Sequence, residues 1–313
     1  VGWADGPVLV RTPATSANLG PGFDSLGLAL ALYDDVEVEA TAGGLSIEVD
    51  GEGAEVADRG ERHLIVRVLR RTFDVLDDLA GTGPARPEGL RLRCRNRIPH
   101  SRGLGSSSAA IVAGIVAARA LHPAGKLLDD AGALRLATEI EGHPDNVAPC
   151  LAGGLTVAWT APGGPRSVRL ESQVGQVVAF VPEQRLATER ARGLLPETVP
   201  HGDAAANAAR AALLVAALTC GLDAGVLLDA TEDRLHQDYR APAMPESAAL
   251  VARLRGAGVP AVISGAGPTV LAFTTAAQVD SIGGGVGKGW HEHPLDVATR
   301  GAHVVPGESE TRA

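Results

Sequence analysis

Residues 99–110 read Pro-His-Ser-Arg-Gly-Leu-Gly-Ser-Ser-Ser-Ala-Ala and follow Leu90-Arg91-Leu92-Arg93-Cys94, which alternates at the period of a strand. Gly103 and Gly105 allow a tight backbone turn and a close approach to a ligand. Three serines then open a small-residue helix expected over 106–121. Strand, glycine turn and helix in that order leave unpaired N–H groups and the positive end of the helix dipole facing the turn. A triphosphate placed there gains several backbone hydrogen bonds, and one serine hydroxyl can ligate Mg²⁺. Read alone, the segment equally describes an ordinary Gly/Ser turn with an N-cap.

The rest of the chain supplies strands and helices without a regular βα repeat. Strand patterns fall at Val8-Leu9-Val10-Arg11, Val36-Glu37-Val38-Glu39, Leu45-Ser46-Ile47-Glu48-Val49, Val177-Val178-Ala179-Phe180-Val181, Ala261-Val262-Ile263 and Thr269-Val270-Leu271-Ala272-Phe273. Helical spacing is expected over 64–79, 127–141, 204–218 and 248–254. The mixed order predicts an α+β fold. Pro162-Gly163-Gly164-Pro165 is the expected linker, dividing the chain into 1–162 and 163–313. The glycine-dense run 283–289 lacks the spacing of a P-loop or a dinucleotide fingerprint and is expected as a mobile surface loop. His291-Glu292-His293 lacks zinc-site spacing.

Of the 313 residues, 45% are hydrophobic and 21% charged, which predicts a sizeable core and argues against disorder. A formal charge of -9 argues against nucleic-acid wrapping, although a nest of backbone N–H groups can hold phosphate within an acidic surface. Cys94, Cys150 and Cys220 show no paired spacing, which fits a reducing compartment and no disulfide scaffold. No uninterrupted apolar run reaches the ~18–20 residues of a membrane span. No signal-peptide pattern is visible either. A cytoplasmic protein without nucleic-acid or membrane partners is the expectation.

The loop does not stand alone. Its pattern P-x-x-x-G-L-G-S-S-x-A resembles the nucleotide-loop signature of the GHMP small-molecule kinases. Pro13-Ala14-Thr15-Ser16-Ala17-Asn18-Leu19-Gly20-Pro21-Gly22-Phe23-Asp24 resembles that superfamily's first motif, and Ile263-Ser264-Gly265-Ala266-Gly267-Pro268-Thr269 its third. The three motifs span about 260 residues in the expected order. The form of the first, together with Glu141-Gly142-His143-Pro144-Asp145-Asn146-Val147-Ala148-Pro149, resembles the homoserine kinase branch; mevalonate-type kinases usually carry a lysine where Asn18 sits. The segments holding Thr188, Arg192 and Arg240 resemble that branch's substrate-side elements.

The resemblance implies a two-domain α+β kinase, with a ribosomal-protein-S5-like N-terminal domain, a ferredoxin-like C-terminal domain and the active site between them. It also implies ATP and Mg²⁺, L-homoserine as substrate and O-phospho-L-homoserine as product on the route to threonine; it leaves room for a homodimer. Arg192 and Arg240 would take the substrate carboxylate, Asp24 the ammonium, and Asn18, His143, Asn146, Thr188 and Gly265 the remaining substrate contacts. Pro99, His100, Ser101, Arg102, Gly103, Leu104, Gly105, Ser106, Ser107, Ser108 and Ala109 would wrap the phosphates. Ser107 and Glu141 would serve magnesium, with Glu139 as the fallback carboxylate. Asp145, Asn146 and Arg192 form the expected catalytic group. Two roles are open to Asp145, general base or service to magnesium and the loop; a carboxylate of ordinary pKa near 3.9 is a weak base for an alcohol, so the second is the one expected. Rival readings are another GHMP kinase, acting on a sugar or a mevalonate-pathway alcohol, and a non-catalytic nucleotide-binding homologue.

Overall fold

Strands β1 (Val8–Ala17) and β2 (Leu26–Thr41) pair antiparallel from Val8 opposite Val38 to Ala17 opposite Gly27, with a register shift at Pro13/Ala14. A proline cannot donate to a ladder, so a shift there is where a strand accommodates one. The computed structural model describes residues 2–55, 59–83, 86–274, 278 and 286–306. Residues 283–285 of the glycine-dense run lie outside them.

Sixteen residues make β2 long enough to serve two partners. Its outer half pairs β4 (Gly89–Asn96), while Leu26–Leu28 pair β5 (Leu155–Ala161), which in turn pairs β6 (Gly164–Leu170). Beyond β4 lies β3 (Gly44–Gly51), in parallel. Parallel neighbours need a crossover, supplied here by α1 (Leu64–Ala80). That helix buries Val66, Leu69 and Phe73 with Val36, Val38 and Leu92 of the sheet. α2 (Ser106–Leu121), with the bounds expected from the sequence, packs beside α1. Its small residues permit the close approach: a Cβ on Gly114 would stand 2.7 Å from Val68 Cγ1.

The second sheet runs β10-β7-β9-β8 and is antiparallel throughout: β7 (Gln176–Pro182), β8 (Ala261–Ile263), β9 (Val270–Ala272) and β10 (Trp290–Asp296). β7 is buried on both faces, and its side chains sort by the two-residue period of a strand. Val178 and Phe180 join Leu250 and Leu254 of α9 (Pro245–Gly256). Val177, Ala179 and Val181 join a cluster that holds Leu214 of α6 (His201–Cys220) together with Leu28, Leu30 and Leu155 of the first sheet. One core therefore runs through both sheets.

Pro162–Pro165 is not a linker. Ala161 pairs with Gly164, so this segment turns the β5–β6 hairpin, with Gly164 at φ 108°. Pro and Gly clusters mark tight turns as well as linkers, and the sequence signal does not separate the two. The expected boundary at 162/163 thus falls inside the first sheet. That sheet also regains the far end of the chain, because β11 (His303–Val304) pairs with β1 at Val10–Val304 and Arg11–His303. Among the described residues α6 is the one helix long and apolar enough to cross a membrane. In the fold its Asn207 donates to the Pro21 carbonyl at 2.7 Å and its Arg210 pairs with Glu232 at 3.3 Å.

Candidate active site

The glycine-serine loop of residues 99–108 is built by backbone turns that only its own residues permit. Gly103 and Gly105 have φ values of 77° and 72°, in the left-handed region. A Cβ on Gly103 would stand 2.3 Å from the Ser264 carbonyl oxygen, and one on Gly105 would stand 1.9 Å from Thr15 Oγ1. The glycines are thus required by the protein's own packing, before any ligand is considered. Gly105→Val is consequently expected to lower the melting temperature by several degrees and impair ATP use together, rather than leave the fold intact. Paired thermal melts and ATP titrations check this; an unchanged melt would return the requirement to the ligand alone.

The three motifs meet at one place. The Ser264 hydroxyl donates to the Gly103 carbonyl at 2.6 Å, and the Gly265 N–H donates to Ala17 O at 3.0 Å. Asn18 Nδ2 donates to Gly265 O at 2.9 Å, while its Oδ1 accepts from the Asp24 N–H at 2.9 Å. Thr15 Oγ1 donates to Asn146 Oδ1 at 2.8 Å. Asn146 and Asp145 sit in the first turn of α4 (Pro144–Ala152), whose Pro144 suits an N-terminal helix position. Just before it, α3 (Asp130–Glu141) ends at Glu141, and Gly142 at φ 94° reverses the chain. Two helix ends thereby present Glu141 and Asp145 to a common space.

That space is a cavity of about 190 Å³. Asn18, Asp24, His143, Asp145, Asn146, Thr188, Arg192, Arg240 and Gly265 line it, and so do Ser101, Gly103, Gly105, Ser106, Ser107 and Glu141. Thr188 and Arg192 begin and end α5 (Thr188–Arg192); past α7 (Ala224–Ala230), Arg240 ends α8 (Gln237–Arg240). Glu139 is exposed on α3 and is not among the lining residues.

Other loop residues shape the loop rather than line this cavity. Leu104 and Ala109 are buried in the core, and Pro99 is buried too. Arg102 is turned away from a phosphate role, because its guanidinium donates to the carbonyls of Pro182, His100 and Glu183 at 2.8–3.1 Å. Ser108 Oγ donates to Glu141 Oε1 at 3.1 Å and Ser107 Oγ to Glu141 Oε2 at 2.9 Å.

A second cavity of about 310 Å³ adjoins the first, and Ser101, Ser106 and Ser107 belong to both walls. Val36, Val49, Leu64 and Ile65 give it an apolar lining, with His100 and Ala109 from the loop side. Asn96 and Asp34 supply polar edges. No local motif announces these residues; in sequence they are ordinary strand and helix positions. Asp34 holds the start of the loop segment by accepting the N–H groups of Arg97 (2.6 Å) and Ile98 (2.9 Å). Burial pushes its carboxyl up to about 6 against those two bonds.

Charge in the smaller cavity is divided unequally. Arg192 makes a two-pronged pair with Asp24, at 3.0 and 3.2 Å. Arg240, only 2% exposed, has no carboxylate partner among the described residues; its guanidinium donates to the carbonyls of Ala191 (3.3 Å) and Gly265 (3.4 Å). Burial lowers its pKa, and the nearby Arg192 adds to that. Burial likewise pulls His143 down, helped by Arg192 and opposed by Asp24. Glu141 is pushed up by burial and held back by its two serine donors. Burial pushes Asp145 up to about 7, with Asp24 and Glu141 adding to the rise and Arg192 opposing it. The premise of an ordinary carboxylate at this position therefore fails.

The GHMP kinases N terminal domain family matches residues 63–154, and the GHMP kinases C terminal family matches residues 216–291. Homoserine kinase of Streptomyces avermitilis is 60% identical over 301 residues, covering 96% of each chain. That of Streptomyces coelicolor is 59% identical, covering 96% of this chain and 94% of its own. A solved chain from Listeria monocytogenes, 33% identical, superposes with a TM-score of 0.75 over 96% of this chain and 99% of its own.

Proposed function

Because this chain belongs to the homoserine kinase family of the GHMP kinases, we propose that the smaller cavity holds L-homoserine and the larger one the nucleoside of ATP. The enzyme transfers the terminal phosphoryl group of ATP to the side-chain hydroxyl of L-homoserine, giving O-phospho-L-homoserine and ADP. The observation that carries the assignment is the shared wall. Ser101, Ser106 and Ser107 face both spaces, so phosphates lying along the loop reach from one into the other.

A zwitterionic alcohol suits the charges present. Its carboxylate gives the buried Arg240 the directly paired anion it lacks among the described residues, and its ammonium takes Asp24. Arg192 and Asp24 neutralise each other without substrate, and the zwitterion replaces each partner with its own opposite charge. Asn146 and Asp145 lie where the hydroxyl must approach the loop. The N-terminus of α2 and the loop N–H groups face the charge spread over the transferring phosphoryl oxygens. Positioning and electrostatics supply most of the rate in such transfers.

Ser107 and Glu141 fit a magnesium ion. They are hard oxygen donors 2.9 Å apart at the mouth of α2, and Mg²⁺ typically takes one or two such protein ligands beside substrate phosphates. When bound, it neutralises phosphate charge. Glu141→Gln is expected to raise the Mg²⁺ needed for half-maximal rate by about ten- to a hundredfold, with magnesium-free nucleotide binding unchanged. Equal Mg²⁺ curves for variant and wild type would remove Glu141 from this role.

Coupled ADP release with L-homoserine, mevalonate and galactose tests the substrate assignment. Turnover is expected with homoserine alone. Faster turnover with either other alcohol would reassign the substrate, and ATP binding without turnover on any of them would favour a non-catalytic homologue.

A further inference from the structure

His236 immediately precedes α8 and is fully buried. Its Nε2 lies 2.8 Å from the Gly20 carbonyl oxygen, which can only accept, so Nε2 carries a proton and donates. Its Nδ1 lies 3.2 Å from Arg240 Nη1, which can only donate. Those two partners admit one form of the ring: neutral imidazole with the proton on Nε2. The surroundings hold it there. Asp233 accepts the backbone N–H groups of His236 (3.0 Å) and Gln237 (2.8 Å), and Phe23 stacks on the imidazole at 5.1 Å. The Phe23 ring also lies near both guanidinium groups, 5.3 Å from that of Arg240 and 5.8 Å from that of Arg192.

We propose that His236 is a positioning residue for the amino-acid substrate: its Nδ1 lone pair accepts from Arg240 Nη1 and so aims the guanidinium at the substrate carboxylate. This rests on the reading of the smaller cavity as the homoserine site. An imidazolium would set an N–H against the guanidinium and lose the acceptor. The charged groups facing the ring are Arg240, Asp233, whose carboxylate is 3.7 Å from Nε2, and Asp24. Burial outweighs the two carboxylates and keeps the imidazole below its ordinary pKa.

Two variants divide the functions of the two ring nitrogens. Glutamine reaches the Nε2 position and can keep the bond to Gly20, but it offers no acceptor at Nδ1. Asparagine places its amide oxygen near the Nδ1 position and gives up the Gly20 bond. His236→Gln is expected to raise the KM for homoserine by about ten- to a hundredfold, as for a lost hydrogen bond to a charged group, with the KM for ATP unchanged. His236→Asn should restore most of that loss. Equal effects of the two variants, or a parallel rise in the KM for ATP, would make His236 a packing residue only.

Long-range ¹H–¹⁵N correlation on the wild-type protein gives a readout that depends on no variant folding. A neutral Nε2–H ring at pH 7 is expected, and an Nδ1–H tautomer or an imidazolium overturns the proposal. Wild-type turnover in the same assays keeps the two readings apart. No turnover of homoserine by the wild type would count against the substrate assignment, whereas normal wild-type turnover with the wrong variant pattern would count against His236.

Discussion

Asp145→Asn is expected to lower homoserine turnover by about 10²–10⁴-fold, the range for loss of a proton acceptor, and to erase the acid limb of the pH–rate profile. In the free protein this carboxyl titrates at about 7, so it is largely protonated below neutrality and largely anionic above it. The kcat/KM for homoserine should therefore fall as pH drops through about 7. Ammonium or magnesium arriving beside Asp24 and Glu141 favours the anion, so the corresponding limb of kcat should lie at lower pH. The stability effect has the opposite sign from that of a salt-bridged carboxylate. A folded pKa raised from 3.8 to about 7 contributes stability that is complete below the unfolded value and is lost as pH rises through the folded one. Asp145→Asn should then melt higher than the wild type above neutrality, with the gain shrinking as the pH is lowered. A variant that keeps the acid limb would remove Asp145 from proton transfer, and rescue by excess Mg²⁺ would return it to metal or loop service.

Arg240→Leu should cost homoserine use about 2–5 kcal/mol, roughly thirtyfold to several-thousandfold in kcat/KM, while leaving ATP affinity alone. The substrate carboxylate would enter a buried space without the guanidinium that faces it. The fold itself should tolerate the change, since a buried charge without a carboxylate partner is lost rather than a salt bridge broken. Homoserine amide, which lacks the free carboxylate, provides the sharper readout. Wild type should prefer homoserine strongly over the amide, and the variant should prefer it little. Equal discrimination by both proteins would show that the carboxylate binds elsewhere.

The legible part of this molecule is the part built from contiguous residues with special backbone demands. The loop from Gly103 into the Ser106 helix could be read because glycine, serine and small apolar residues each signal a local conformation. The His143–Asn146 segment could be placed by its motif, although the helix it opens is unusual in holding Pro149 inside. Strand β7 was visible as a run of buried residues. Less visible were β6 and β10, edge strands carrying Arg166, Arg169, His291 and Glu292, whose charge hides the two-residue alternation. The larger cavity was illegible because Val36, Val49 and Leu64 come from three elements and look like any core positions. His236 was illegible for another reason: its importance lies in two hydrogen bonds, one of them spanning 216 positions of sequence.

The closure of β11 onto β1 bears on how the chain must come off the ribosome. Val10 emerges 294 residues ahead of its partner Val304. At synthesis rates of about 5–20 residues per second, the outer edge of β1 waits tens of seconds for its neighbour. Throughout that interval the nascent N-terminal sheet has an open border, the kind of surface on which another unfinished chain can pair. A ribosome stalled with residue 296 just clear of the exit tunnel, on a linker that fills it, would carry both sheets nearly complete but the first one still unsealed. Nascent chains of that length should bind holdase chaperones more strongly than chains extended past Val304 by a linker that clears the exit tunnel.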